Sequence, residues 1–385
     1  MKNYDAAVIG GGIIGVSCAI ALADAGLRVI VLDRQEPGRE ASWAAAGMLS
    51  PPPHLPGDEA LVPLARESLK LYPEYIRQIE SASRKKTNFT SNGAIELFFG
   101  AAAPEERDRY IEACCGLGVK AEAISATEAR RLEPALASTV RAGIFFPEEA
   151  AIDPRALMEA ALDAAGTMRV EIRANCNVQT LDMKRGRCIG VVLEGERVAA
   201  DRVVIAAGCF SRQIFAADCE ARHRLAPFLP TRPVRGQMIA LQPRDTAISR
   251  AVRSARGYML PRSNGWIVAG STLEEAGFDK RTTKEGLQKI RKAAIELVPG
   301  LADSEIVESW CGLRPGTPDG LPILGPVDIE GVILATGHFR NGILLAPVTA
   351  QLVTKWITCA EAPAPFSAFS PSRFLPPAIH AHAAN

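Results

Sequence analysis

A glycine cluster set between two apolar runs constrains this chain more than any other feature. Residues 4–9 form a short apolar run with the length of a buried strand. Gly10-Gly11-Gly12 follows, and residues 13–25, rich in alanine and isoleucine, have the composition of a helix. Gly26 stands where a C-cap glycine would end that helix. Residues 28–32 make a second apolar strand, closed by Asp33. The order is strand, turn, helix, strand. Within it, Gly10-x-Gly12-x-x-Gly15 fits the spacing G-x-G-x-x-G after a strand and at the opening of a helix, the setting that gives the pattern its meaning. Gly10 permits the tight turn, Gly12 lets backbone approach a pyrophosphate, and Gly15 lets helix pack close on strand. The helix start offers N–H groups and a partial positive charge to phosphates. Asp33, roughly 20 residues on, sets a carboxylate where ribose hydroxyls would donate. This predicts a dinucleotide site, without choosing between FAD and NAD.

The rest of the chain limits the alternatives. Its 385 residues suggest two domains or one large one, and 48% apolar content allows a sizeable core. The 44 basic residues against 43 acidic ones give no basic excess for nucleic acid. No apolar run reaches the length of a membrane span, and the N-terminal run reads as a first strand, not a signal peptide. Of nine cysteines only Cys114 and Cys115 are close, and His54, His223, His338, His380 and His382 are dispersed. That pattern offers no metal-ligand spacing and fits reduced, buried thiols in the cytoplasm.

Helices are predicted at 61–81 (with Pro73 as a bend or break), 104–117, 126–132, 154–165, 283–298 and 342–359. Strands are predicted at 93–99, 170–173, 188–193, 201–208 and 332–335. Those at 235–242, 257–261 and 266–270 have an antiparallel texture, unlike the N-terminal unit. Residues 312–326, dense in glycine and proline, read as loop.

Three further stretches carry chemistry. Gly38-Arg39-Glu40-Ala41-Ser42-Trp43-Ala44-Ala45-Ala46-Gly47-Met48-Leu49 is a loop of small residues suited to pass close to a flat ring. Cys311-Gly312-Leu313-Arg314-Pro315-Gly316-Thr317-Pro318-Asp319-Gly320 and Gly337-His338-Phe339-Arg340-Asn341-Gly342-Ile343-Leu344-Leu345-Ala346-Pro347 come late in the chain. In this order, and spanning nearly the whole chain, they resemble the D-amino acid oxidase superfamily, and within it the bacterial glycine oxidases of thiamine biosynthesis. The resemblance implies an α/β fold. A Rossmann-like, doubly wound FAD-binding domain would be discontinuous over residues 1–85, 146–220 and 312–365. An inserted α+β substrate domain with an antiparallel sheet would cover 86–145 and 221–311, leaving a loose tail at 366–385.

It also implies FAD held non-covalently, since Cys18, Cys209 and Cys311 match no attachment position. The implied reaction is oxidation of glycine, sarcosine or a small D-amino acid, with hydride passing from Cα to flavin N5. Oxygen is the implied acceptor, giving hydrogen peroxide and an imine that hydrolyses to a 2-oxo acid (glyoxylate from glycine) and ammonia. A homotetramer is implied as well.

Carried over by position, the cofactor contacts are Gly10, Gly12, Ile13, Ile14, Gly15, Asp33, Arg34, Ala41, Ser42, Ala46, Gly47 and Met48. Val178, expected in a strand, would touch adenine through its backbone, and Gly208 closes another expected strand beside the cofactor. His338, Phe339, Arg340, Asn341, Gly342, Ile343 and Leu344 would wrap the ring and ribityl chain. On the substrate side the resemblance places Tyr258, Arg314, Arg340, Met48 and Leu273. Glycine oxidases have methionine at the last of these; leucine is similar in volume and leaves the substrate range open. The planar fork of Arg314 can hold a carboxylate through two charge-assisted hydrogen bonds. The Tyr258 phenol can add a third, while Arg340 can face either the substrate amine or the flavin. No general base is visible, which agrees with hydride transfer, and His338 reads as a structural hydrogen-bonder. A helix starting near Asn341-Gly342 and aimed at flavin O2 and N1 would favour negative charge on the ring. Two other readings stay open: a dehydrogenase passing electrons to a quinone or protein, and a non-catalytic dinucleotide sensor.

Overall fold

The βαβ unit expected at the N-terminus forms the centre of a larger sheet in the computed structural model, which describes residues 3–51, 58–214, 225–359 and 368–375. Strands β1 (Asn3–Ile9) and β2 (Val29–Leu32) pair in parallel around helix α1 (Ile13–Asp24). On the other side of β1 lies β11 (Glu196–Ile205), and beyond it β18 (Val332–Thr336), both parallel to it. The edges are β8 (Glu171–Arg173) and β17 (Ile323–Pro326). A hairpin of β9 (Thr180–Lys184) and β10 (Arg187–Leu193) pairs with the first half of β11. Side chains alternate strictly: Ala6, Val8, Val29 and Val31 enter one core, Ala7, Ile9, Ile30 and Leu32 the other. Burial on both faces is why these strands read as unbroken apolar runs. The first core packs under α1, α3 (Val62–Ser83), α6 (Pro154–Thr167) and α8 (Gly342–Thr358).

Among the described residues a second sheet of eight strands runs in the order β16 (Glu305–Gly316), β12 (Arg232–Gln242), β15 (Ile267–Gly270), β14 (Gly257–Pro261), β13 (Ala251–Ser254), β4 (Ala94–Phe99), β6 (Val140–Phe146), β5 (Glu122–Ser125). It is antiparallel except where β13 meets β4. Helices α5 (Ala126–Leu132) and α7 (Lys284–Leu297) cover one face, whose core holds Ile239, Leu241, Met259 and Leu297. Helix α4 (Ala103–Gly116) lies at the β4–β6 end. On the opposite face Met238, Ala240 and Trp310 meet α2 (Ala41–Ala44). A two-residue pairing of β3 (Met48–Leu49) with β7 (Ala150–Ala151) joins the two regions.

Helix α8 shows how neighbouring elements repair a local defect. Pro347 has no N–H, so the carbonyl of Ile343 one turn earlier loses its helical donor. The buried Tyr72 hydroxyl of α3 donates to that carbonyl instead. One residue on, the Ser68 hydroxyl donates to the Leu344 carbonyl at 2.6 Å and accepts from Val348 N–H at 3.4 Å, so it sits inside the hydrogen-bond ladder.

Several expectations are corrected. Residues 312–326 are not all loop: β16 runs to Gly316, and β17 occupies 323–326. As an edge strand β16 tolerates Pro315, and Gly312 is required because a Cβ there would sit 2.6 Å from that of Ala44. Pro73 does not break α3, where buried Tyr72, Tyr75, Ile76 and Ile79 hold the turns around it. Val178 lies in the loop before β9, not in a strand, and β11 stops at Ile205, short of Gly208. Within the expected tail at 366–385, Phe369 is buried and Arg373 pairs with Asp319 at 2.7 Å. The remainder of that tail, His54, His223, His380 and His382 lie outside the described residues. Among the described residues there is no cluster that could hold a metal ion, and no helix is long and apolar enough to cross a membrane.

Candidate active site

The carboxyl ends of β1, β2 and β11 open into a cavity of about 610 Å3 that runs to the second sheet. At the dinucleotide end Gly10 has φ +105°, and a Cβ there would lie 2.6 Å from the Ala206 carbonyl oxygen. A Cβ on Gly15 would overlap the Gly10 carbonyl oxygen, so helix and strand touch through bare backbone. Gly12 caps α1 without a side chain, and the first turn holds no acid, so the helix end keeps its positive partial charge toward the cavity. Asp33 accepts from Gly11 N–H at 2.7 Å and from Gln35 N–H at 2.9 Å. Burial pushes its carboxyl pKa up, and those two backbone hydrogen bonds oppose the shift. Asp33 therefore shapes the glycine loop as well as lining the cavity. Arg34 stacks on Phe210, its guanidinium carbon 3.4 Å from the ring centroid.

The loop at 41–48 forms the middle of the cavity and is tied down from outside. Ser42 accepts from Ile13 N–H at 2.9 Å, which joins the loop to the start of α1. Trp310 Nε1 donates to the Ala44 carbonyl at 3.1 Å, and Arg262 Nη2 to that of Ala46 at 2.7 Å. Arg155 lies over Trp43 and forms two 2.8 Å bonds to Glu308 across to the second sheet. Gly47, at φ +88°, has no room for a side chain against the Ile152 carbonyl. Beyond the loop, Ser50 donates to buried Glu149 at 2.6 Å, and Glu149 pairs with buried Arg253. The cavity wall there is a satisfied polar network.

The far end of the cavity is the face of the second sheet that carries Gly236, Met238, Tyr258, Gly312 and Arg314. Arg314 is half-buried, and its two terminal nitrogens donate to the Thr272 carbonyl at 3.2 Å and to Ser271 Oγ at 2.8 Å. Among the described residues no carboxylate pairs with it. Burial pushes its pKa down; Tyr258 opposes this, and the nearby charge of Arg340 adds to it. Tyr258 OH donates to Met238 Sδ at 3.3 Å. Arg340 is exposed at the rim, next to Phe339 at φ +47°. Asn341, Gly342 and Ile343 line the cavity at the start of α8, which has no side-chain cap and no acid in its first turn.

His338 is buried, and its Nε2 shares a 3.0 Å hydrogen bond with Thr349 Oγ1. Burial pushes its pKa down from 6.5 to about 3, so it is neutral in the folded protein. The unfolded chain takes up this proton below about pH 6.5 and the folded chain does not, so stability falls as pH drops from 6.5 toward 3. Linkage puts this loss at about 2 kcal/mol between pH 7 and pH 5. Urea unfolding of His338→Gln is expected to lack that increment. An unchanged pH dependence would show that the histidine titrates normally.

Nearly all the expected contacts share this one cavity. It gathers Gly10, Gly12, Ile13, Ile14, Asp33, Arg34, Ala41, Ser42, Ala46, Gly47, Met48, Val178 and Gly208 with Tyr258, Arg314 and 338–343. Three residues do not line it. Gly15 and Leu344 are packed behind the wall, and Leu273 is 59% exposed beyond the end of β15. Sequence reasoning missed Met238 and Gly236. Their signal is strand parity: in β12 Gly236 and Met238 face the cavity, while Ile239 and Leu241 enter the core under α7.

The donor set fits a flavin dinucleotide: a bare helix end, an acid at the end of β2, a loop of small residues and a second bare helix end at α8. Comparison with known proteins agrees. The chain is 33% identical over 368 residues to the glycine oxidase of Pseudomonas putida, covering 94% of this chain and 97% of that protein. It is 33% identical to the bifunctional protein ThiO/ThiG of Trichormus variabilis over 96% of its own length, but spans only 55% of that relative. The crystal structure of glycine oxidase from Geobacillus kaustophilus superposes with a TM-score of 0.88 at 29% identity, over 97% of this chain and 99% of that one. Residues 5–356 match the family described as FAD dependent oxidoreductase, and the chain belongs to that family, with FAD as its cofactor.

Proposed function

We propose that this protein oxidises glycine or another small amino acid or amine, such as sarcosine or a small D-amino acid, with oxygen as electron acceptor. The observation that carries this reading is Arg314, a guanidinium held in the cavity with no carboxylate of its own chain as partner among the described residues. A cation placed in this way calls for an anionic ligand, and its fork matches a carboxylate.

Bound FAD supplies two-electron acceptance from the substrate Cα–H, with dioxygen reduced to hydrogen peroxide and an imine left to hydrolyse to a 2-oxo acid and ammonia. The residues of the chain bind and orient. Arg314 takes the carboxylate, and Tyr258, one strand beyond Ser271 and Thr272, adds a phenolic donor to it. Met238 and Ala46 give the apolar wall against which a small side chain, or none, fits. His338 stays neutral and bonded to Thr349, so it acts in the scaffold and not as a base. The bare start of α8 lends positive partial charge to the cofactor region. The reading includes a cytoplasmic enzyme.

The test mixes purified holoprotein anaerobically with glycine, sarcosine and D-alanine in turn, then admits oxygen. Flavin bleaching by at least one of them, followed by one peroxide per flavin reoxidised, is expected. No bleaching by any would overturn the substrate class. Bleaching without peroxide would replace oxygen by a quinone or protein acceptor.

A further inference from the structure

Arg314 reaches its place by crossing a strand. It belongs to β16, the edge, yet its guanidinium bonds Ser271 and Thr272, just past the end of β15. Between those two strands runs β12, so the span is about 10 Å, two strand spacings. In register, Val234 of β12 is opposite Arg314, and Gly236 is opposite Gly312. The side chain therefore lies diagonally over β12, with its guanidinium directly on Gly236. A Cβ built on Gly236 would overlap it: the three nearest atoms are Arg314 Nη1, Nη2 and Cζ. Gly236 has no positive φ and sits within a regular strand, so backbone conformation does not demand glycine there. The guanidinium does.

We propose that Gly236 is a positioning residue for Arg314: its missing side chain is the notch that lets the guanidinium cross β12 and present its fork to the substrate carboxylate. This rests on the reading of Arg314 as the carboxylate ligand. A methyl group at 236 lifts the guanidinium off the strand, so that it no longer reaches the Thr272 carbonyl and Ser271 hydroxyl together. The carboxylate then meets a mobile, misaimed cation. Nothing at the dinucleotide end of the cavity changes.

The experiment compares Gly236→Ala, Arg314→Leu and the double variant, each purified with FAD. Acetate, which has a carboxylate and no oxidisable amine, is titrated while the flavin absorbance is followed; KM and kcat for glycine are measured alongside. Gly236→Ala is expected to weaken acetate binding and raise KM about tenfold or more, the loss of one well-aimed charge-assisted pair, with flavin content unchanged and kcat within about threefold. In the Arg314→Leu background the same substitution should have no further effect, because its three nearest atoms are gone. If Gly236→Ala does not fold, the double variant should recover folding and FAD, since the clash is with the guanidinium. Normal acetate binding by Gly236→Ala while Arg314→Leu loses it would overturn the positioning role and leave Arg314 as the ligand. Normal acetate binding by Arg314→Leu would overturn the reading of Arg314 itself. An equal additional loss in the double variant would show that Gly236 matters for the strand and not for Arg314.

Discussion

Arg314→Leu is expected to abolish efficient turnover of amino acids while the protein stays yellow. Removing one partner of a desolvated charge pair costs about 2–5 kcal/mol, which corresponds to roughly 30-fold to 4,000-fold in kcat/KM. The loss should appear mainly in KM, because in the proposed reading the guanidinium holds the carboxylate and not the reacting C–H. Flavin content should not fall: Arg314 bonds Ser271 and Thr272 just past the end of β15, whereas the residues proposed to hold the dinucleotide lie in α1, β2 and the 41–48 loop. Steady-state kinetics together with the ratio of flavin to protein absorbance checks both halves. Parallel loss of flavin and activity would mean that the arginine braces the fold.

Gly15→Ala is expected to have the opposite signature, loss of FAD first. The added Cβ would overlap the Gly10 carbonyl oxygen, and its next neighbours are the Gly10 carbonyl carbon at 3.1 Å and Val8 Cγ1 at 3.2 Å. These are backbone atoms and a fully buried side chain, so no flexible group can yield. Helix α1 must move off β1, and the bare N–H groups at Gly12 move with it. Overpacking of this kind costs about 1–3 kcal/mol or more in stability. The affinity for FAD should fall by about a hundredfold or more, since helix end and glycine loop are displaced together. Equilibrium binding of FAD to the apoprotein measures this; affinity within a few-fold of the parent would show that the helix tolerates the shift.

These two residues also mark what the sequence reveals. Gly15 is legible because its spacing from Gly10 and Gly12 is a local pattern with one steric meaning. Arg314 is legible through the stretch around it, although its neighbours are not: Ser271 and Thr272, which hold it, are more than forty positions away in the chain. Met238 and Gly236 look like any other part of an apolar strand until β12 is placed between β15 and β16. Leu273 shows the reverse case, a residue of the motif that lies outside the cavity lining. Its motif begins in β15, but the strand ends at Gly270, and Thr272 turns its hydroxyl to Gln237 N–H at 2.9 Å and its carbonyl to Arg314. Alternation no longer applies past that point, and Leu273 faces outward. Strand β17 was hidden for a compositional reason, because the glycines and prolines around it are the usual marks of loop.

The pairing order around β1 has a consequence for how the protein comes into being. Val8 pairs with Val204, and Val204 with Ile333. The strand that leads into the glycine loop leaves the ribosome before its partners: its flanking partner is made about 200 residues later and the next strand about 130 after that. At roughly 5–20 residues per second, the nascent N-terminal unit waits on the order of ten seconds or more with an apolar edge uncovered. Such long-range parallel pairing is slow to form and prone to aggregation meanwhile. During synthesis, then, the glycine loop gains its contact with Ala206 only once about half of the chain has been made.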